Sequence, residues 1–258
     1  MELRKHMERK GVLMTDLRTR EAKEAFAYLG GLGYEMLSVP DGVCLWNENE
    51  LEAWGKSLEK NLYAVIHPAP PLFLRPLSEQ TEEDFGQAAN EGILSAFCVT
   101  KVFGGMFREH REGVLIYLNS IHAEKPVGRG SLFSMGCGAV QMLAREVNQD
   151  YGTHGVRSFF VQRGISQYDP DGKSDLSNLY FGVEKRYPER KMPQADALNS
   201  LLAFLLTPGA APLSGSDLRA DGGMTMYYGE RITEEQVQEI RRRQLLENRK
   251  EVTILGDV

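Results

Sequence analysis

Apolar positions along the chain fall into two alternating patterns. Short, nearly continuous apolar runs occur at 11–15 (GVLMT), 34–39 (YEMLSV), 42–46 (GVCLW), 62–67 (LYAVIH), 114–120 (VLIYLNS) and 156–162 (VRSFFVQ). Runs of this length predict strands buried on both faces. Between them lie longer stretches with apolar residues three and four apart, the helical spacing. The first spans 20–29, with Ala22, Ala25, Phe26 and Leu29 on one face and Gly30-Gly31 suited to end it. Others are predicted at 51–60, from about 81 to 108, at 131–150 and at 197–207, and a last short strand within 217–223.

Strand–helix alternation with continuous apolar strands predicts an α/β fold, a Rossmann-like doubly wound parallel sheet covered on both faces. Such sheets bind ligands beyond the carboxyl ends of their strands. No repeat, low-complexity segment or linker divides the chain. It reads as one domain over 1–228 and a C-terminal extension over 229–258.

Composition narrows the classes. Of 258 residues, 42% are hydrophobic and 26% charged, enough apolar material for a real core. Thirty basic against 36 acidic residues give a net charge of −6, which offers no basic face to nucleic acid. The longest dense apolar run, LLAFLL, is far too short to span a membrane. Cys44, Cys98 and Cys137 are odd in number and widely spaced, which fits neither a disulfide framework nor a zinc site. The start, MELRKHMERKGVLM, lacks the long apolar stretch of a signal peptide. A cytoplasmic protein is expected.

The block LIYLNSIHAEKPVGRGSLFSMGCGAVQMLAREVNQDYGTHGVRSFFVQRGI resembles the centre of the short-chain dehydrogenase/reductase family. KMPQADALNSLLAFLLTPGAAPLSGSDLRADGGMTM resembles its C-terminal part, and TEEDFGQAANEGILSAFCVTKVF its long fourth helix. The resemblance covers roughly 10–226. It implies a nicotinamide-dependent oxidoreductase fold with a serine, a tyrosine, a lysine and an asparagine as catalytic residues. Ser120 matches the serine. The tyrosine position holds Phe133, which has no hydroxyl, and the lysine position four residues on holds Cys137. Gly92 stands for the asparagine.

The cofactor loop departs as well. The family's T-G-x-x-x-G-x-G lets backbone amides reach a pyrophosphate. Here it reads TDLRTREA: Thr15 is kept, while Asp16, Arg20 and Ala22 replace the glycines. Asp16 sets a carboxylate where phosphate would lie, and the side chains of Arg20 and Ala22 are expected to fill the remaining space. The N-N-A-G run has become His67-Pro68-Ala69-Pro70, the acid or arginine that reads the ribose gives way to Val39-Pro40 with Asp41 beyond, and the later P-G is Arg163-Gly164. No cofactor and no metal are therefore expected, and His6, His67, His110, His122 and His154 show no ligand spacing.

Other candidates have ordinary readings beside the chemical one. Ser120, His122 and Cys137 are a potential nucleophilic group, or Cys137 is a small buried apolar residue. Gly136 and Gly138 inside a helix cost about 1 kcal/mol each relative to alanine and imply a close neighbour at that face. Arg163, Lys173, Arg186, Arg190 and Lys191 form a basic patch for a phosphate- or coenzyme A-bearing ligand, or solvated charge. GGLG (30–33) follows a helix, so it reads as a helix end. DPDGKSD (169–175) resembles a calcium loop but has Tyr180 where glutamate belongs, and its GKS lacks the earlier glycine of a phosphate loop. The extension begins with a helix signal at Thr233, Gln236, Ile232 and Val237; it is either a solvated helix or packs on a partner subunit, where it would support or close the partner's pocket.

The expected role is a non-catalytic subunit of a hetero-oligomeric, heterotetrameric short-chain dehydrogenase, paired with an active NAD-dependent paralogue. The family has such arrangements, including the hydroxyacyl-CoA dehydrogenase of the anaerobic benzylsuccinate pathway, whose inactive subunit this chain resembles. Two alternatives stay open. One is a repurposed, nicotinamide-independent enzyme like the halohydrin dehalogenases; the other is a ligand-binding or regulatory protein using the degenerate cleft.

Overall fold

A computed structural model describes residues 10–58, 61–165 and 183–226, with helical backbone at positions 235, 238, 239 and 242. The chain divides into two compact units, Met1–Thr225 and Met226–Val258. The fold below is that of the first. The calcium-loop and GKS motifs, Lys173 and the cap of the C-terminal helix lie outside the described residues.

The described strands are β1 (Gly11–Met14), β2 (Glu35–Ser38), β3 (Leu62–Pro68), β4 (Gly113–Ser120), β5 (Val156–Arg163) and β6 (Asp217–Ala220). They form one parallel sheet in the order β2-β1-β3-β4-β5-β6. The chain runs outward from β1 to β2, then returns past β1 to β3. The reversal leaves a crevice between the carboxyl ends of β1 and β3, the place where such sheets hold ligands.

Alternation along the strands builds two cores. Val12, Met14, Ile66, Ile116, Leu118, Phe159 and Val161 face helices α1 (Arg20–Gly31) and α7 (Asn199–Leu205). Leu13, Val65, Leu115, Tyr117 and Phe160 face the other side. There they meet α2 (Glu48–Gly55), a long helical rod and α6 (Ser131–Tyr151). The rod consists of α3 (Glu82–Ala89), α4 (Ser95–Val99) and α5 (Gly105–His110), joined by π-helical turns at Asn90–Leu94 and Thr100–Gly104. Near both turns a hydroxyl bonds back to a carbonyl four residues earlier, Ser95 to Glu91 and Thr100 to Ala96, which competes with the regular helix ladder. Arg157 on β5 clasps the end of α7, donating to the carbonyls of Leu205 (3.1 Å) and Thr207 (2.7 Å) and to the Tyr63 hydroxyl (2.8 Å). A cation at a helix C-terminus is favourably placed.

Two expectations need correction. Residues 42–46 are not a strand. Val43 N–H donates to Pro40 in one turn, Gly42 takes φ +91°, and a second turn closes from Asn47 N–H to Cys44. Val43 and Leu45 still pack on the core, but as loop residues. The helix expected at 51–60 instead spans Glu48–Gly55, because Asn47 caps it by accepting from Glu50 N–H.

Two glycines contrast sharply. Gly155 has φ +78°, and a Cβ there would drive into the Arg111 carbonyl. Gly136 lies in α6, where a Cβ would rest 3.9 Å from Gly92 Cα, in ordinary contact. Gly155→Ala is therefore expected to cost about 2–3 kcal/mol in denaturant unfolding, and Gly136→Ala less than about 1 kcal/mol in either direction. Equal costs at the two positions would contradict this reading.

Candidate functional site

The crevice starts where β1 ends. The Thr15 hydroxyl bonds His67 Nδ1 at 2.8 Å, tying β1 to β3. The His67 ring is buried, meets Tyr117 edge-on, and leaves Nε2 without a hydrogen-bond partner. Burial pushes its pKa down to about 4, so the imidazole is neutral at physiological pH. Where the family has N-N-A-G, β3 continues through Pro68, and Ala69 N–H donates to Leu118 at 2.8 Å.

The loop from β1 into α1 carries its own charges. Asp16 accepts from the Arg18 backbone N–H (2.7 Å) and from its Nε (2.9 Å). The same guanidinium reaches Glu91 on the rod at 2.8 Å. Asp16, Arg18 and Glu91 thus bridge the loop to the far wall of the crevice. Thr19 caps α1 by accepting from Ala22 N–H. Glu21, buried in the first turn of α1, is held by Arg163 at 2.7 Å. Arg163 lies opposite Ser120 in the β4–β5 register. A carboxylate is favoured in a first turn for the same reason a phosphate is.

Arg20 and Ala22 do not fill the crevice as the sequence suggested. Arg20 pairs with Glu24 one helical turn on, and Ala22 faces the core. The occupants are Arg18, Glu21 and Arg163. None stands at a family glycine position, so a motif comparison passes over them. The detectable signal was an acid one residue past the Arg20 position together with an arginine in place of the P-G proline.

The remaining site positions do come together. Phe133 and Cys137 pack with Ala69, and the Phe133 ring meets His122 edge-on. Ser120 Oγ accepts from His122 N–H at 3.3 Å, while His122 Nδ1 is engaged with the Lys125 carbonyl at 2.8 Å. Burial raises the Cys137 thiol to about 12 and lowers the His122 imidazole. A neutral thiol does not attack, so Ser120, His122 and Cys137 are neighbours without forming a nucleophilic relay. Gly92 and Gly136 face each other, so the close neighbour inferred for α6 at Gly136 is this chain's own rod. A cavity of about 240 Å³ opens beside them, lined by Gly92, Phe133, Cys137, His67 and Pro70. It lies where the longer asparagine and lysine side chains of the family would project.

The expected basic patch is split. Arg163 is paired with Glu21, Arg190 donates to the Lys185 carbonyl at 2.8 Å, and Arg186 lines a different hollow. Among the described residues, no group of three or more His, Cys, Asp or Glu is placed to hold a metal, and no helix is long and apolar enough to cross a membrane.

With this geometry in place, residues 51–225 match the family model described as enoyl-(acyl carrier protein) reductase, a short-chain dehydrogenase model. Two tropinone reductase homologs of Arabidopsis thaliana are each 24% identical. One matches over 182 residues, covering 69% of both proteins; the other matches over 181 residues, covering 69% of this chain and 66% of the relative. A gluconate 5-dehydrogenase from Burkholderia cenocepacia, solved with NADP and tartrate, superposes with a TM-score of 0.79 at 16% identity, over 88% of this chain and 99% of its own. The chain belongs to the short-chain dehydrogenase/reductase family of oxidoreductases.

That family's nicotinamide dinucleotide does not fit the residues present. Its diphosphate would share the α1 N-terminus with Glu21 and the loop with Asp16. Each carboxylate already holds its own guanidinium, so a diphosphate would have to compete with Glu21 for Arg163 and with Asp16 for Arg18.

The cysteines give a direct test. Because burial holds the Cys137 thiol neutral, its thiolate fraction at pH 7.5 should lie about a thousandfold below that of a free thiol. Iodoacetamide on the native protein is expected to label half-buried Cys44 first, and Cys137 only after denaturation. Rapid native labelling of Cys137, located by peptide mass spectrometry, would restore the nucleophile reading.

Proposed function

We propose that this chain is a non-catalytic subunit of a hetero-oligomeric short-chain dehydrogenase, paired with an active NAD-dependent paralogue that oxidises a hydroxyacyl-CoA. The observation that carries the reading is the internally occupied crevice. Glu21 with Arg163, and Asp16 with Arg18 and Glu91, stand where a turnover site needs bare backbone and room for phosphate. Phe133 supplies no proton, and Cys137 carries no charge to hold a ribose or lower a tyrosine pKa. The substrate class and the heterotetramer rest on the benzylsuccinate-pathway precedent.

The surface supports a partner. Phe85, Leu94 and Phe97 on the rod, and Met135 and Met142 on α6, are each more than a third exposed. Apolar side chains gathered on adjacent helices mark a docking face. In the family these two helices pair subunits, and an active paralogue carrying the same helices is a matching occupant. Keeping the fold's pairing face while its cleft is filled is what a subunit retained for assembly requires.

One observation favours a second reading. The cavity of about 240 Å³ beside Cys137 is large enough for a small ring, which would make the chain a ligand-binding protein in the same crevice.

Native mass spectrometry of the complex purified from its source separates the two. The proposal expects a stable hetero-oligomer containing a paralogue with intact glycine loop, tyrosine and lysine. It further expects a Phe97→Asp, Met135→Asp double variant to lose the paralogue while keeping its circular dichroism. A homo-oligomer of this chain alone would overturn it.

A further inference from the structure

The cavity of about 240 Å³ in the crevice takes its lining from the rod, from α6, from His67 on β3 and from the loop that follows β3. Ser120 and His122 are not part of it. Leu72, Phe73, Leu132, Phe133 and Val140 give it apolar walls. Gly92 and Gly136 face each other there, so neither helix sends a side chain from these positions into the space. An apolar cavity of about 150 Å³ holds a benzene ring, so this one has room for a ring and a substituent.

The charges around it are committed within the chain. The charged lining residues are Arg18, Asp84 and Glu91. Arg18 lies 2.8 Å from Asp16 and 2.8 Å from Glu91. Asp84 pairs with Arg75 and accepts from Thr81 N–H at 2.9 Å. Gln87 donates to Glu91 at 3.1 Å, and the Asn119 side-chain oxygen accepts from Ser120 N–H at 2.7 Å. A charged ligand would enter without a counter-ion of its own, which a buried site penalises.

His67 is different. Its Nδ1 is engaged with the Thr15 hydroxyl at 2.8 Å, and its Nε2 is buried without a partner. Among the described residues lining the cavity, that nitrogen is the buried side-chain polar atom left unsatisfied. Buried polar groups are normally paired, and leaving one unpaired is a cost that a ligand can relieve. The Thr15 hydroxyl can donate to Nδ1 or accept from it, so Nε2 either carries the ring proton or accepts one. A hydroxyl group on a ligand suits both cases, because it donates and accepts. Water would satisfy the nitrogen but not the apolar walls.

We propose that this cavity binds a small uncharged ring bearing a hydroxyl, the ring against the apolar walls and the hydroxyl on His67 Nε2. The proposal rests on the ligand-binding reading of the crevice and names its ligand class; the pairing reading does not depend on it.

Phenol, fluorobenzene, benzoate and benzylammonium share one ring and differ in the group it carries. Isothermal titration of the full chain with each tests the proposal. Phenol should bind at one per chain, at least about tenfold tighter than fluorobenzene, and tighter than either ion. His67→Phe keeps a ring and removes the nitrogens; it should bring phenol down to the fluorobenzene level. Cys137→Leu fills the cavity from α6; it should weaken phenol and fluorobenzene alike, by at least about tenfold. Melting temperatures report whether the variants fold, and the wild-type comparison of phenol with fluorobenzene needs neither. Equal binding of those two by the wild type, lost in Cys137→Leu, overturns the hydroxyl contact and leaves a ligand-binding cavity standing. Tighter benzoate or benzylammonium overturns the uncharged class. Binding of none of the four overturns the proposal together with the ligand-binding reading.

Discussion

Glu21, a carboxylate buried in the first turn of α1, is paired with Arg163, which reaches it from the end of β5. That single pair links the first helix to the fifth strand across the carboxyl edge of the sheet. Removing Arg163 would take the guanidinium from beside a buried carboxylate, which is destabilising. The pair therefore holds the edge together and also occupies the anion seat of α1. A dinucleotide placed at that seat would meet the Glu21–Arg163 pair.

The rest of the crevice follows the same logic. Asp16 sits where phosphate would approach, and Arg18 neutralises it while bracing the loop against Glu91. His67 takes the place of an open loop and spends one nitrogen on Thr15. Gly92 and Cys137, at two of the catalytic positions, line a cavity. The apolar residues exposed on the rod and α6 sit on elements whose inner faces are fully used in the core.

Much of the fold was legible in the sequence because four of its strands, β1, β3, β4 and β5, are nearly continuous apolar runs, the pattern of a sheet covered on both faces. Residues 42–46 misled because GVCLW has strand composition, but Pro40, Gly42 and the Asn47 cap set turns on both sides of it. The long helix was placed correctly in extent; its two π turns were not foreseen, and the Ser95 and Thr100 hydroxyls that bond back near them look unremarkable in sequence. At the site, the substituted positions Phe133, Cys137, Gly92 and Asp16 could be read one at a time. The ion pairs that replace the ligand could not, because Glu21 and Arg163 are 142 residues apart and only the sheet order brings them together. Arg20 shows the converse: its place in the motif implied obstruction, yet its rotation on α1 sends it to Glu24.

The claim on which this account turns is that the crevice is closed to dinucleotides by the chain's own charges. Isothermal titration of the isolated chain with NAD and with NADP tests it without reference to any partner. The account predicts no saturable heat up to millimolar cofactor for either. Stoichiometric binding at micromolar concentration would contradict it, because the diphosphate would then have displaced Glu21 from Arg163 or settled beside Asp16 at little cost.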